Sequence, residues 1–340
     1  MTNSPGPGTA LLADIGGTFV RFALSEADGR VHTVRIFKTA DFPSLLDAAR
    51  AYLSACGMAD APRVAAFAIA GPVEGDRIAM TNRAWAFSVA DLRRAMALDR
   101  LDVINDFAAV AEAIPGLGPD ALHLIGGRPI VPGSPPDFDP RAVLGPGTGL
   151  GAALLVPGAN GFHVIATEGG HVTLCATDAR ETAILDHLRA RFGHVSAERV
   201  LSGPGLVNLA NAITAVDGRA IDSTLTPESV TELAAQGTSA PAVEAMRVFS
   251  GLLGTIAGNQ VLTTGALGGL YIAGGVVLRL GRRFDRGLFR ERFEAKGRFN
   301  EYLKPVPTYL VTADEPALTG LARLVRRPPS AQRPPSAKPA

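Results

Sequence analysis

Two turns rich in glycine and threonine have the make-up to hold phosphate. Asp14-Ile15-Gly16-Gly17-Thr18 follows the apolar run Ala10-Leu11-Leu12-Ala13, and Gly145-Pro146-Gly147-Thr148-Gly149-Leu150-Gly151 follows Ala142-Val143-Leu144. Glycine lets backbone N–H groups come close to an anion, and a threonine hydroxyl adds a donor. Asp14, just past its strand, could hold Mg²⁺ directly or through water. A plain Gly-Gly hairpin turn would read the same way. The second segment also fits G-x-G-x-x-A from Gly147 to Ala152, a dinucleotide fingerprint. That fingerprint needs a helix next, whereas Ala152-Ala153-Leu154-Leu155-Val156 reads as a strand. The chain has no Gly-Lys dipeptide, which excludes a Walker A loop.

Between the turns, Leu101-Asp102-Val103-Ile104-Asn105 is a strand that delivers Asp106 to the start of a helix. An α/β fold puts catalytic carboxylates at such strand ends. The competing reading of Asp106 is a helix N-cap. Further on, Glu168 and His171 flank Gly169-Gly170, and a carboxylate and an imidazole three residues apart can reach adjacent hydroxyls of one polyol. Glu198, in Val195-Ser196-Ala197-Glu198-Arg199, is a third polar contact or half of an ion pair with Arg199. A capped helical turn is expected there, then a tight loop at Ser202-Gly203-Pro204-Gly205. The strand from Leu270 to Ala273 runs into Gly274-Gly275, where a flat adenine ring and its ribose could lie against the backbone.

These groups need a scaffold, and the elements around them are those of an α/β protein. Residues 19–24 and 31–37 alternate as strands, Pro43 opens a helix carrying Leu45, Leu46, Ala49 and Leu53, and 63–70 is a buried strand stopped at Gly71-Pro72. The strand–turn–strand unit recurs 130 residues on, at Thr148 after Thr18, which suits a duplicated fold better than a solenoid. Five prolines mark 127–141 as a surface insertion. No charge occurs from Val248 to Leu278, but eight glycines interrupt the stretch. It reads as a buried helix ending near Gly265, with Gly251, Gly254 and Gly258 packed closely on a neighbour, rather than as a membrane span.

The 340 residues are 47% hydrophobic and 19% charged, with 33 basic and 32 acidic side chains and a net charge of +1. No basic stripe marks a nucleic-acid surface. Two separated cysteines are too few for a disulfide framework and suit a reducing, cytoplasmic setting, and the first residues do not form a signal peptide.

The ordered set Asp14-Ile15-Gly16-Gly17-Thr18, Asn105-Asp106-Phe107, Gly147-Thr148-Gly149, Glu168-Gly169-Gly170-His171 and Ala273-Gly274-Gly275 resembles the sugar-kinase branch of the hexokinase/actin/Hsp70 superfamily. More narrowly, residues 194–206, Ala79-Met80-Thr81-Asn82 and Trp85-Ala86-Phe87 resemble bacterial glucokinases of the proteobacterial type. The likeness runs from about Leu11 to Leu324. It implies two ribonuclease-H-like α/β domains of the actin-like ATPase kind flanking a cleft, in a homodimer. The small domain would be 9–115 plus 308–325 and the large one 116–307, with disordered ends at 1–8 and 326–340. It implies that Asn105, Asp106, Glu168, His171 and Glu198 bind glucose, with Asp106 as the base. Ala13, Asp14, Ile15, Gly16, Gly17, Thr18, Gly147, Thr148, Gly149, Gly274 and Gly275 would hold ATP, with Mg²⁺ at Asp14. Phe19 stands where many such proteins carry Asn. The stretch after His171 has one cysteine, Cys175, and so lacks the zinc loop of the N-acetyl-sugar kinases and repressors. Other hexose or N-acetylhexosamine kinases, and a non-catalytic sugar-sensing ATP-binding protein, are the alternatives.

Overall fold

The computed structural model describes residues 8–58, 62–71, 73–80, 85–159 and 161–327. Thr81 and Asn82 of the resemblance motif, Pro72, and most of the two ends expected to be disordered lie outside these. The chain divides into two compact units, Met1–Leu117 with Asp314–Ala340, and Gly118–Ala313.

The first unit is built on a five-stranded sheet. Val31–Lys38, Phe19–Ser25 and Ala10–Ile15 form an antiparallel meander, and Val64–Ile69 and Arg100–Asn105 continue it in parallel with Ala10–Ile15. The central strand is buried on both faces, which is why it reads as an unbroken apolar run. Leu11, Ala13 and Ile15 face Leu45, Ala49 and Tyr52 of the helix Leu45–Ala55, whereas Ala10 and Leu12 face Ala109, Leu318 and Leu321. The helices Asp106–Ala113 and Pro316–Val325 press together so tightly that a Cβ on Gly320 would lie 1.8 Å from the Ala109 carbonyl oxygen. Order continues past the expected end at 326. The Arg327 guanidinium pairs with buried Glu112 at 2.7 Å, and the Arg327 carbonyl accepts from Arg100 at 2.6 Å.

The second unit repeats the strand progression. Gly161–Thr167, Leu150–Gly158 and Arg141–Pro146 form an antiparallel meander. Leu270–Ile272 and Thr308–Val311 follow in parallel, and Leu122–Gly126 closes the far edge antiparallel. Thr308–Val311 therefore belongs to this sheet and not to the small domain, because its partners on both sides are here. The proline-rich 127–141 stretch is anchored by Arg128 N–H to the Pro305 carbonyl and Ile130 N–H to the Tyr309 hydroxyl, both at 3.0 Å.

The uncharged stretch is mostly one helix, Ala240–Thr264, stopped by Gly265 in the left-handed region at φ 64°. Among the described residues no helix is long and apolar enough to cross a membrane. Its glycine face receives the helix Arg286–Glu294: Cβ atoms on Gly254 and Gly258 would lie 2.1 and 2.4 Å from the Phe289 and Phe293 carbonyl oxygens. At Gly251 the nearest atom is 3.5 Å away, an ordinary contact. Gly254→Ala must push two backbones apart and is expected to cost about 1–3 kcal/mol. Gly251→Ala should be neutral or gain up to about 1 kcal/mol of helix propensity. Urea unfolding of the two variants checks this, and equal effects would mean that the close approach at Gly254 is not what the glycine serves.

Candidate functional site

In the first unit, strand register puts Arg21 opposite Asp14, with Nη1 3.5 Å from its carboxylate, and Arg21 Nε also reaches Glu315 at 3.2 Å. Burial pushes the Asp14 carboxyl up to about 6, against the pull of Arg21 and with the help of the negative charges of Asp106 and Glu315. The Gly16 N–H donates to the Phe19 carbonyl at 2.9 Å, and Thr39 holds the turn by bonding the Gly17 and Thr18 carbonyls at 3.0 Å each. Neither Gly16 nor Gly17 has a positive φ, so this is not the glycine-requiring hairpin turn. What glycine provides here is bare backbone. Ala13 and Ile15 bury their side chains completely and offer only backbone, which the strand pairings take up. Phe19 begins the next strand and is exposed.

Asn105, not Asp106, is the N-cap of the helix Asp106–Ala113. Its Oδ1 accepts from Phe107 N–H at 2.9 Å and Ala108 N–H at 3.0 Å. Its Nδ2 donates to the Gly71 carbonyl at 3.1 Å and to Asp106 Oδ1 at 3.0 Å, and that oxygen also accepts from Phe107 N–H at 2.8 Å. Asp106 is the first helical residue, its carboxylate oriented by the cap and by the positive end of the helix. The cap explanation thus passes to its neighbour, and the side chain of Asn105 is largely spent on the fold.

In the second unit, the turn 147–149 is drawn tight by a 2.8 Å bond from Gly147 N–H to the Gly149 carbonyl, and a strand follows it, as the argument against a dinucleotide fingerprint required. Glu168 precedes the short 3₁₀ turn Gly169–His171, and the His171 N–H donates to its carbonyl at 2.9 Å. A Cβ on Gly170 would fall 2.0 Å from the Leu150 carbonyl oxygen, so glycine lets this turn press on the strand that leaves the turn 147–149. Glu168 and His171 project outward, with side chains 73% and 57% exposed and 3.7 Å between Oε2 and Nε2. Val172 and Leu174 are laced to Ala197 and Val195 by backbone bonds of 2.9 and 3.0 Å, which brings Glu198 into the same neighbourhood. Glu198 Oε2 accepts the Leu150 N–H at 3.0 Å, so it is not spent on Arg199.

The expected loop at Ser202 is instead the start of a helix, Gly203–Val216. The Ser202 hydroxyl caps it at Gly205 N–H, 3.0 Å, and proline occupies its first turn. This helix end, with Leu206, Pro227, Thr231, Val276 and Arg279, lines a cavity of about 420 Å³. Gly275 begins the helix Gly275–Leu280 beside it, with Arg279 3.6 Å from where its Cβ would be. Gly274 serves the fold: a Cβ there would sit 2.4 Å from the Pro146 carbonyl oxygen. The cavity volume suits a nucleoside. The negative charge of Asp106 raises the proton affinity of Asp14, and a divalent cation held at these carboxylates would relieve that repulsion. The residues present therefore fit both groups. Among the described residues no three of His, Cys, Asp and Glu cluster as a metal site of their own.

The Glucokinase family profile matches residues 11–328. A glucokinase of Paramagnetospirillum magneticum is 48% identical over 323 residues, spanning 94% of this chain and 98% of that protein. One of Aromatoleum aromaticum is 47% identical, spanning 92% and 93%. Among solved structures, a glucokinase from an Antarctic psychrotroph matches with a TM-score of 0.83 at 38% identity, covering 93% of this chain and 98% of that one. With a family match and near-half identity along almost the whole length of both partners, the chain belongs to the glucokinase family.

Proposed function

We propose that this chain transfers a phosphoryl group from MgATP to the 6-hydroxyl of glucose, giving glucose 6-phosphate and ADP. The observation that carries the reading is the joint in the second unit, where the glycine-flanked turn 147–149 and the cluster of Glu168, His171 and Glu198 are fastened to each other. One part has the chemistry for phosphate and the other for a polyol. The repeated strand progression supports two ribonuclease-H-like domains. MgATP, when bound, supplies the phosphoryl group and the metal charge.

Asp106 accepts the proton of the 6-hydroxyl as that oxygen attacks, and Asn105 holds the carboxylate in line. Glu168, His171 and Glu198 fix the ring through its hydroxyls, and polar groups left unpaired by the wrong sugar are the source of selectivity. The turns 14–18 and 147–149 bind phosphate oxygens with backbone N–H groups, Asp14 holds Mg²⁺, and the cavity beside Gly275 takes the nucleoside. The protein works as a cytoplasmic homodimer.

A coupled ADP-release assay over a hexose panel is the direct test. Glucose-dependent turnover, much weaker with fructose and N-acetylglucosamine, is expected. Turnover with another sugar alone would overturn the specificity assigned to the cluster. Asp106→Asn keeps the size of the side chain and leaves the cap intact, so it should fold normally and lose about 10²–10⁴-fold in kcat, with the KM for glucose little changed. Near-normal kcat would remove Asp106 from the role of base.

Asp14 gives a separate expectation in the ligand- and metal-free protein. Its carboxyl sits near 6 in the fold, above its ordinary value, so the fold favours the neutral form. That contribution is complete below about pH 4 and is lost as pH rises through about 6. Asp14→Asn cannot ionise and escapes the loss. Its stability relative to the unsubstituted protein should therefore improve between pH 4 and 6 by on the order of 1–3 kcal/mol, and the gain should persist above pH 7. Melting curves across pH 4–8 decide it. A flat difference would mean that Arg21 keeps Asp14 ionised throughout.

A further inference from the structure

Glu198 sits where two parts of the second unit meet. Its Oε2 accepts the N–H of Leu150 at 3.0 Å, and a Cβ on Gly149 would lie 2.5 Å from that same oxygen. Among the described residues no hydrogen bond takes up Oε1. The segment that carries Glu198 is fastened to the turn a second time, by Gly203 N–H donating to the Gly147 carbonyl at 2.8 Å. The Ser202 hydroxyl donates to the Glu198 carbonyl at 2.8 Å and fixes the spacing between the two fastenings. On its other side the same segment is laced to the residues that follow His171, through Ala197 N–H to the Val172 carbonyl and Leu174 N–H to the Val195 carbonyl. The hydroxyl-binding cluster and the turn therefore share one charged side chain. A bond to an ionised acceptor is among the stronger a fold contains.

We infer that Glu198 couples sugar binding to nucleotide binding. This rests on the reading of 147–149 as a phosphate turn and of Glu198 as a sugar contact. Without sugar, a carboxylate lies against the turn and opposes an incoming phosphate. A sugar hydroxyl donated to Oε1 disperses that charge, while Oε2 keeps Leu150 and the turn in place. Each ligand then raises the affinity for the other, and by linkage the factor is the same in both directions. Sugar occupancy thus prepares the nucleotide site, which disfavours ATP binding when only water could receive the phosphoryl group.

Gly149→Ala isolates this contact. Gly149 has no positive φ, and every atom its Cβ would meet within 4 Å belongs to the flexible Glu198 side chain, so the variant should fold. It displaces the carboxylate from the Leu150 N–H without deleting it. Calorimetric titration of glucose, with and without a non-hydrolysable ATP analogue and Mg²⁺, reads the coupling. In the unsubstituted protein the analogue should tighten glucose binding by at least about fivefold, and in Gly149→Ala by less than about twofold. In the ligand-free proteins Gly149→Ala should lower the melting temperature, yet leave it unchanged in a Glu198→Ala background. Coupling that survives Gly149→Ala, or equal melting losses in both backgrounds, overturns the inference and leaves the proposed activity standing. No glucose binding by the unsubstituted protein would overturn the activity reading itself.

Discussion

A turn proposed to bind phosphate must leave backbone N–H groups open and yet hold its shape, and the rest of this molecule answers that constraint. A turn of glycines has little rigidity of its own, because glycine gives up more conformational freedom on ordering than any other residue. Here the rigidity comes from the strands before each turn. Ala10–Ile15 and Arg141–Pro146 are central strands with buried side chains on both faces, and the strand after each turn pairs back on them. Slippage by one residue would interchange two packed faces, so the position of the turn is fixed by the core on either side.

The second turn needs more, and receives it from distant chain. Gly203 and Glu198 each bond to it, one as a backbone donor and the other as a charged acceptor. The first turn is held instead by Thr39, while Arg21 joins Asp14 to Glu315. Glu315 has φ 45°, an uncommon conformation for a residue with a side chain, and its ion pair with Arg21 is one of the contacts that hold it there. The two turns look alike in sequence, but different surroundings give them different electrostatics. One meets a buried carboxyl next to an arginine, and the other a carboxylate that bonds to backbone.

The fold was largely legible because its key strands are continuous apolar runs and its long helix ends on a glycine. The strand–turn–strand repeat could be found from local pattern alone, and the same pattern marks the candidate residues near the turns. Three features could not. Thr308–Val311 joins the second sheet because of neighbours far away in sequence, and four apolar or hydroxyl residues do not announce which sheet they complete. The Gly-Pro-Gly after Ser202 reads as a loop, although serine before proline is also how a helix begins. The cavity beside Gly275 is assembled from pieces of three separate helices, whose meeting no local pattern shows.

The glycines show most clearly where sequence reasoning stops. Gly274 and Gly275 are adjacent and identical, and both invite the same ligand role. The packing separates them: Gly274 is needed because Pro146 leaves no room for a side chain, whereas a Cβ on Gly275 would first meet the Arg279 guanidinium, 3.6 Å away, and Arg279 lines the cavity. Gly149 is a third kind, with room taken up only by the end of Glu198, 49 residues away in sequence. A glycine in a motif thus has three distinct physical causes, which are close backbone approach, an uncrowded position beside a cavity wall, and space for a particular side chain. Only the third kind can be filled by a methyl group at the cost of moving one carboxylate. That makes it the position at which the link between the two halves of this site can be loosened without dismantling either half.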